Sequence, residues 1–167
     1  MSVAGVAVGR NRLGAVSDLT LRRARFAELS GADLYEILRL RVDVFVVEQD
    51  CPYPELDGRD TEPDTVHLWY ERGGAIASYL RILAEPGGAA RIGRVCTAAD
   101  ARGGGLAGQL LDQALVAIGP RSVALSAQSH LTGFYARYGF RPDGAPFLED
   151  GIPHTPMVRS REQPPAT

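Results

Sequence analysis

The sequence predicts an α+β fold, a mixed sheet with helices on its faces, and three observations carry that expectation. Strand-like runs outnumber helical ones along the chain. A strand, a glycine-rich turn and an amphipathic helix follow one another from Ala90 to Ile118. The 167 residues are 45% hydrophobic with ordinary charge content, enough for one well-buried core and too few for two comfortable domains.

Leu19 to Phe26 opens the pattern as a candidate strand, with Leu19 and Leu21 alternating ahead of arginine-rich positions. Asp33 to Val46 reads as an amphipathic helix, since Leu34, Ile37, Leu38, Val42 and Phe45 fall at helical spacing while Asp33, Glu36, Arg39 and Asp43 take the other faces. Ser30 or Asp33 is the candidate cap. The continuation breaks at Pro52 and Pro54 and enters an acidic loop through Glu55, Asp57, Gly58 and Asp60. Thr65 to Glu71 and Ala75 to Leu83 are strand-like runs around Arg72-Gly73-Gly74, a hairpin signal. After the turn at Pro86-Gly87-Gly88, Ala90 to Thr97 reads as a strand and runs through Ala98 to Ala101 into Arg102-Gly103-Gly104-Gly105. Leu106 to Ile118 is then a helix, with Leu106, Leu110, Leu111, Leu115 and Ile118 apolar, closed by Pro120. Ser122 to Ala127 is a buried-looking strand, His130 to Tyr138 a short helix stopped by Gly139, and Ala145 to Phe147 with His154 to Arg159 a last strand pair. Residues 1–18 are expected to be a disordered extension and 161–167 a loose tail, leaving a single domain over 19–160.

Composition excludes several classes of function. A formal charge of −2 and a pI near 5.9 argue against a general nucleic-acid surface, which needs a clustered basic excess. Cys51 and Cys96 have no metal-like spacing with each other or with the three histidines, so neither a metal site nor a disulfide framework is supported. Met1 to Val16 has no continuous apolar core of signal-peptide length, and no stretch approaches the roughly 20 apolar residues that span a bilayer. A cytoplasmic protein without a membrane partner is expected, as a monomer or homodimer.

The glycine-rich turn is the strongest chemical signal. A helix N-terminus carries unpaired N–H groups and the positive end of the helix dipole, and glycines leave room for a phosphate to sit on the backbone. The alternative is a plain surface turn. A nucleotide P-loop needs Gly-Lys followed by Ser or Thr, and the chain has Gly108-Gln109-Leu110. Gly103, Gly105 and Gly108 spell G-x-G-x-x-G, but position 128 is glutamine where a dinucleotide fold wants an acidic residue. A third pattern, R/Q-x-x-G-x-G/A after a strand, is met by Arg102, Gly105 and Ala107.

That third pattern, together with Phe134-Tyr135-Ala136-Arg137-Tyr138-Gly139-Phe140 one helix and one strand later, resembles the GCN5-related N-acetyltransferases. Leu40-Arg41, Val44 to Gln49, Cys51-Pro52-Tyr53, Leu56-Asp57-Gly58, Ile92 to Val95 and Glu149 to His154 are similar to the narrower ElaA-like group, so the likeness runs from about Leu34 to Arg159. It implies an α/β/α sandwich-like acyl-CoA N-acyltransferase fold, with a central, mostly antiparallel mixed sheet whose strands at Ile92 to Thr97 and Ser122 to Ala127 splay apart.

The same resemblance implies acetyl-CoA as cofactor and a primary amine as acceptor, on a small molecule or an amino terminus. Backbone groups of Val95, Cys96 and Thr97 would hold the pantetheine arm, and the amides of Gly103, Gly104, Gly105, Leu106, Ala107 and Gly108, with Arg102 beside them, the pyrophosphate. Gln128 stands where many relatives place an asparagine against the cofactor. Tyr135 is the implied general acid for the departing thiolate, and the amide of Val95 or Cys96 the implied oxyanion donor. Tyr135 as a core aromatic is the alternative.

One departure stands out: Gly93 and Arg94 occupy strand positions where many relatives carry a carboxylate base. Glu48, Asp57 or His67 then becomes the candidate base, unless the amine arrives neutral, and His154 is a further acceptor-site candidate. Cys96 is read as packing, since nothing basic at fixed spacing activates it. The acidic loop is expected to favour a cationic acceptor. A non-catalytic acyl-CoA-binding module and, more distantly, an acyl-homoserine-lactone synthase are the rival readings.

Overall fold

The computed structural model describes residues 19–160, so the expectations for residues 1–18 and 161–167 lie outside it. Among the described residues eight strands form one sheet: β1 (Leu19–Arg25), β2 (Val66–Arg72), β3 (Ala75–Ala84), β4 (Ala90–Thr97), β5 (Val123–Gln128), β6 (Arg141–Pro142), β7 (Phe147–Glu149) and β8 (Ile152–Arg159). The order is β1-β2-β3-β4-β5-β8-β6, with β7 also pairing β8. Every pairing is antiparallel except β4 with β5. A parallel pair needs a long crossover, which α2 (Leu106–Ile118) supplies.

The period-2 alternation of the strands decides what each face buries. Leu68 and Tyr70 on β2, Leu80 and Ile82 on β3, and Ile92 on β4 share a core with Leu110, Leu111, Ala114 and Ile118 of α2 and with Tyr135 of α3 (Thr132–Ala136). Their neighbours Trp69, Tyr79 and Cys96 face the other way, onto Ile37 and Leu40 of α1 (Gly31–Val42). Helices thus cover both faces of the β2–β4 centre.

Several boundaries move from the expected ones for local reasons. The first helix starts at Gly31 because Ser30 and Asp33 cap reciprocally: Ser30 Oγ accepts from the Asp33 amide at 3.0 Å and the Asp33 carboxylate from the Ser30 amide at 3.3 Å. It does not run on as a plain α-helix to Val46. From Asp43 to Glu48 the backbone widens to a π-helical turn, closed by the Cys51 amide on the Val46 carbonyl at 3.1 Å. Such insertions gather at functional sites because they rotate the side chains that follow, by about 100° per residue inserted. The helix expected over His130 to Tyr138 shortens to a 3₁₀ turn at Ser129–Leu131 and five α-helical residues. The last strands are Phe147–Glu149 and Ile152–Arg159, joined by a turn with Asp150 and Gly151 at positive φ, and Arg141–Pro142 adds a strand that periodicity did not reveal.

Candidate active site

β4 and β5 pair only at Ala90 with Val123 and Arg91 with Ala124, then separate. Beyond that point the β4 edge has no strand partner on this side among the described residues, and a cleft of about 740 Å³ opens, lined along one wall by Ile92 to Thr97 and along the other by Leu125, Ser126 and Gln128. On its β3 side β4 carries a bulge. The register shifts between Tyr79 and Arg81, and Arg94 takes φ 55°, an unusual conformation for a residue with a Cβ. The bulge turns Arg94 towards Glu55, whose carbonyl accepts from Nη2 at 3.0 Å, and over the Tyr53 ring, 5.7 Å from its centroid.

The glycine turn lies beyond the end of β4 and leads straight into α2. Gly103 and Gly105 adopt φ 82° and 73°, and Gly105 is the N-cap of α2 with no side chain bonded to the first-turn amides. A Cβ placed on Gly103, Gly104 or Gly105 would meet nothing within 4 Å among the described residues, which leave the backbone here open to an approaching group. Gly108 is small for another reason: a Cβ there would stand 2.2 Å from the Tyr138 hydroxyl. Open first-turn amides with left-handed glycines fit a phosphate anion, and with the unpaired β4 edge they fit the diphosphate and arm of coenzyme A.

The π-helical turn bridges the cleft. Glu48 forms a two-pronged pair with Arg102, Oε1 to Nη1 and Oε2 to Nη2 both at 2.8 Å, while Arg102 Nε donates to the Thr97 carbonyl at 3.1 Å. Gln49 Oε1 accepts from Gln128 Nε2 at 3.0 Å. Both Arg102 and Gln128 therefore have partners from one turn, and the Arg102 hydrogen bond and charge hold the Glu48 carboxyl below its ordinary range.

The acidic loop is the clearest correction to the sequence reading. Glu55 and Asp60 are buried against Arg41, itself 0% exposed, with Glu55 Oε1 and Asp60 Oδ1 accepting at 2.8 and 2.7 Å. Arg81 binds Asp57 and Asp60, and Arg94 adds to Glu55 and Asp57. Three carboxylates meet three guanidinium groups, so this part of the loop offers an acceptor no net negative charge. Burial opposes ionisation of Asp57 and Asp60, but Arg81 for the first and Arg41 for the second overcome it and hold both well below the usual carboxylate range. Asp57 lines the cleft as a weak base.

The histidines separate cleanly. His67 is 0% exposed, away from the cleft lining, with Nδ1 2.7 Å from the Tyr79 hydroxyl and Nε2 3.1 Å from the Asp60 carbonyl. Burial lowers its pKa, and both nitrogens are occupied, so the candidacy of His67 as a base in the cleft fails on position. His154 does line the cleft, on β8 beside Gln128 of β5.

Tyr135 reaches the cleft from α3, its ring edge-on to Phe134 and Phe140 at 5.0 and 6.0 Å. Burial pushes its phenol up to about 12, so it holds its proton at neutral pH. Burial likewise raises the Cys96 thiol to about 12, which leaves it unreactive.

Sequence reasoning gave no site role to Arg41, Arg81 or Tyr53, and read Glu55 only as part of the acidic loop. A signal existed for two of them. Arg41 follows Ile37 and precedes Val44 on the buried face of the first helix, and Arg81 interrupts the apolar run from Tyr79 to Leu83, both places where a charge must find a buried partner.

The family model for the acetyltransferase (GNAT) domain matches residues 39–161. A UPF0039 protein of Mycobacterium tuberculosis is 50% identical over 143 residues, 83% of this chain and 92% of that protein. Among solved structures, an acyl-CoA N-acyltransferase from Pseudomonas aeruginosa superposes with a TM-score of 0.82 at 44% identity, covering 86% of this chain and all of that one. Escherichia coli ElaA superposes at 0.80 with 36% identity, covering 85% of this chain and 99% of its own. The parted strands, the open glycine cradle and these likenesses agree: the chain belongs to the GNAT acetyltransferase family, with ElaA and the UPF0039 proteins among its relatives.

Proposed function

We propose that this protein is an acetyl-CoA-dependent N-acetyltransferase acting on a primary amine of a small molecule or an amino terminus. The observation that carries the reading is the splay of β4 from β5, which opens between an uncapped glycine-rich helix start and a buried, protonated tyrosine. Acetyl-CoA supplies an acyl group activated as a thioester. The amides from Gly103 to Gly108 hold its diphosphate with Arg102 at the rim, and the β4 edge at Val95, Cys96 and Thr97, where the Thr97 carbonyl already accepts from Arg102, pairs with the pantetheine amides.

An amide of Val95 or Cys96 donates to the carbonyl oxygen as negative charge develops there; one such donor is worth roughly 2.7–4 kcal/mol in enzymes where it has been removed. Tyr135 gives its phenolic proton to the sulfur as the C–S bond breaks, and the proton lost by the newly acylated nitrogen restores the phenol. Direct attack in a ternary complex suits this cleft, because Cys96 is too deeply buried to ionise and so is no nucleophile.

Release of free thiol from acetyl-CoA, followed across a panel of primary amines, tests the reading. Acceptor-dependent release is expected. Tight coenzyme A binding with no release for any amine would instead leave a non-catalytic acyl-CoA-binding module, a reading favoured by Gly93 and Arg94 at the strand positions where the resemblance implies a carboxylate base.

A further inference from the structure

Transfer to an ammonium requires that a proton leave the nitrogen first, and two of the carboxylates that line the cleft are held by arginines and poorly suited to take it. Glu48 is paired with Arg102, and Asp57 with Arg81 and Arg94. His154 is different. Its Nδ1 lies 2.9 Å from the Ile152 carbonyl. A carbonyl only accepts, so Nδ1 must carry hydrogen, and in the neutral ring Nε2 presents its lone pair. That nitrogen stands 3.9 Å from the Glu149 carboxylate, and the side chain is only 13% exposed.

Resting on the acyltransfer reading above, we propose that His154 is the general base, with Glu149 the positioning residue that holds the arriving ammonium against it. The N–H bond of the ammonium breaks, its electron pair stays on nitrogen, the proton moves to His154 Nε2, and the imidazolium then returns it to solvent. Three neighbouring elements fix the ring. Phe147 of β7 lies roughly parallel to it, centroids 5.9 Å apart and planes 28° apart, as the residue directly opposite in the β7–β8 pairing. Gln128 of β5 stands opposite on the other edge. The Cys51 thiol, within hydrogen-bond reach of the Asp150 carbonyl at 3.4 Å, ties the β7–β8 turn to the loop after α1.

The charged groups around the ring are Glu149 and, at the turn, Asp150; neither has an arginine partner among the described residues. Across the same cleft stand Glu48, held by Arg102, and His130, exposed on the turn before α3. An acceptor cation therefore finds its unpaired counter-charge at the β7–β8 turn, not in the acidic loop that composition suggested.

The test compares His154→Gln, Glu149→Gln and His130→Gln with the parent protein, using acetyl-CoA with glycinamide, phenethylamine and spermidine in turn. In the parent, kcat/KM should not track the fraction of free amine. In His154→Gln it should fall at neutral pH, by about 10-fold for glycinamide with its weakly basic α-amine and by about 100-fold or more for the two more basic amines, and rise with the fraction of free amine, so that the deficit closes at alkaline pH, while the coenzyme A Kd stays unchanged. Glu149→Gln should raise KM for the amine more than it lowers kcat. Parallel pH profiles for His154→Gln and the parent, or the deficit appearing in His130→Gln instead, would overturn the proposal.

Long-range ¹⁵N–¹H correlation at neutral pH reads the ring directly and needs no acceptor. An Nδ1–H form for His154 supports the proposal, and an Nε2–H form contradicts it. Failure of the underlying reading looks different, as a parent protein that neither binds coenzyme A nor releases thiol with any of the three amines.

Discussion

Tyr135 shows how packing sets the state of one side chain at the cleft. Its ring is buried between aromatic edges, and the same burial that disfavours the phenolate keeps a proton available at the cleft. Tyr135→Phe is expected to lower kcat by about 100-fold or more with little change in coenzyme A affinity, read by steady-state thiol release beside calorimetry; equal turnover would make the residue a packing aromatic only. Asp57 and Asp60 carry a stability prediction. Their pKa values lie below the unfolded-chain values of about 3.9, so the stabilisation they give is complete above that pH and is lost as pH falls through the depressed values. Arg81→Met should therefore be less stable than the parent at pH 7 in urea titrations, and the gap should narrow steadily below about pH 4. A gap independent of pH would remove the ion pairs from the account. At this scale the sequence was legible in type but not in pairing: Asp57 and Glu48 were visible as carboxylates near the site, whereas their arginine partners come from Arg81, Arg94 and Arg102, brought in by tertiary contacts.

Elements were more readable than their ends. The strand Ala90–Thr97 and the helix Leu106–Ile118 match the expected ranges because apolar spacing and the glycines between them act locally. The π-helical turn at Asp43–Glu48 left no local signature, since it answers two distant demands: Val44 is buried while Glu48 and Gln49 reach Arg102 and Gln128 across the cleft. The divergence of β4 from β5 was implied by resemblance and not by periodicity, which carries no information on where two strands part. The cradle gives a paired test. Gly105→Ala forces an alanine to φ near 73° and should cost roughly 1–2 kcal/mol, with weaker coenzyme A binding. Gly104→Ala, with no positive φ and open space around its Cβ, should leave thermal stability unchanged. Equal loss of stability in both would mean that strain at Gly105 is not what the glycine relieves.

Across the whole molecule, a buried ion network joins the helical face to the strands of the cleft. Arg41 on α1 binds Glu55 and Asp60 of the long loop, and Arg81 on β3 and Arg94 on β4 complete the set. Burying charges earns little net stability, but removing one partner leaves the others uncompensated. Arg41→Met should destabilise the fold by about 3–5 kcal/mol in denaturant titration, far more than Arg39→Met, whose exposed, solvent-screened contact is with Glu36 in the adjacent helical turn. The loop that looked like a cation trap in the sequence is thus part of the scaffold. On the proposed reading, the parted strands and the glycine turn together hold coenzyme A beside Tyr135. A crystal structure of the protein with coenzyme A tests it most directly. The account predicts the diphosphate on the amides of Gly103 to Gly108 and the pantetheine arm between β4 and β5, with its thiol at the Tyr135 hydroxyl; coenzyme A seated elsewhere, with the cleft between those strands empty, would contradict it.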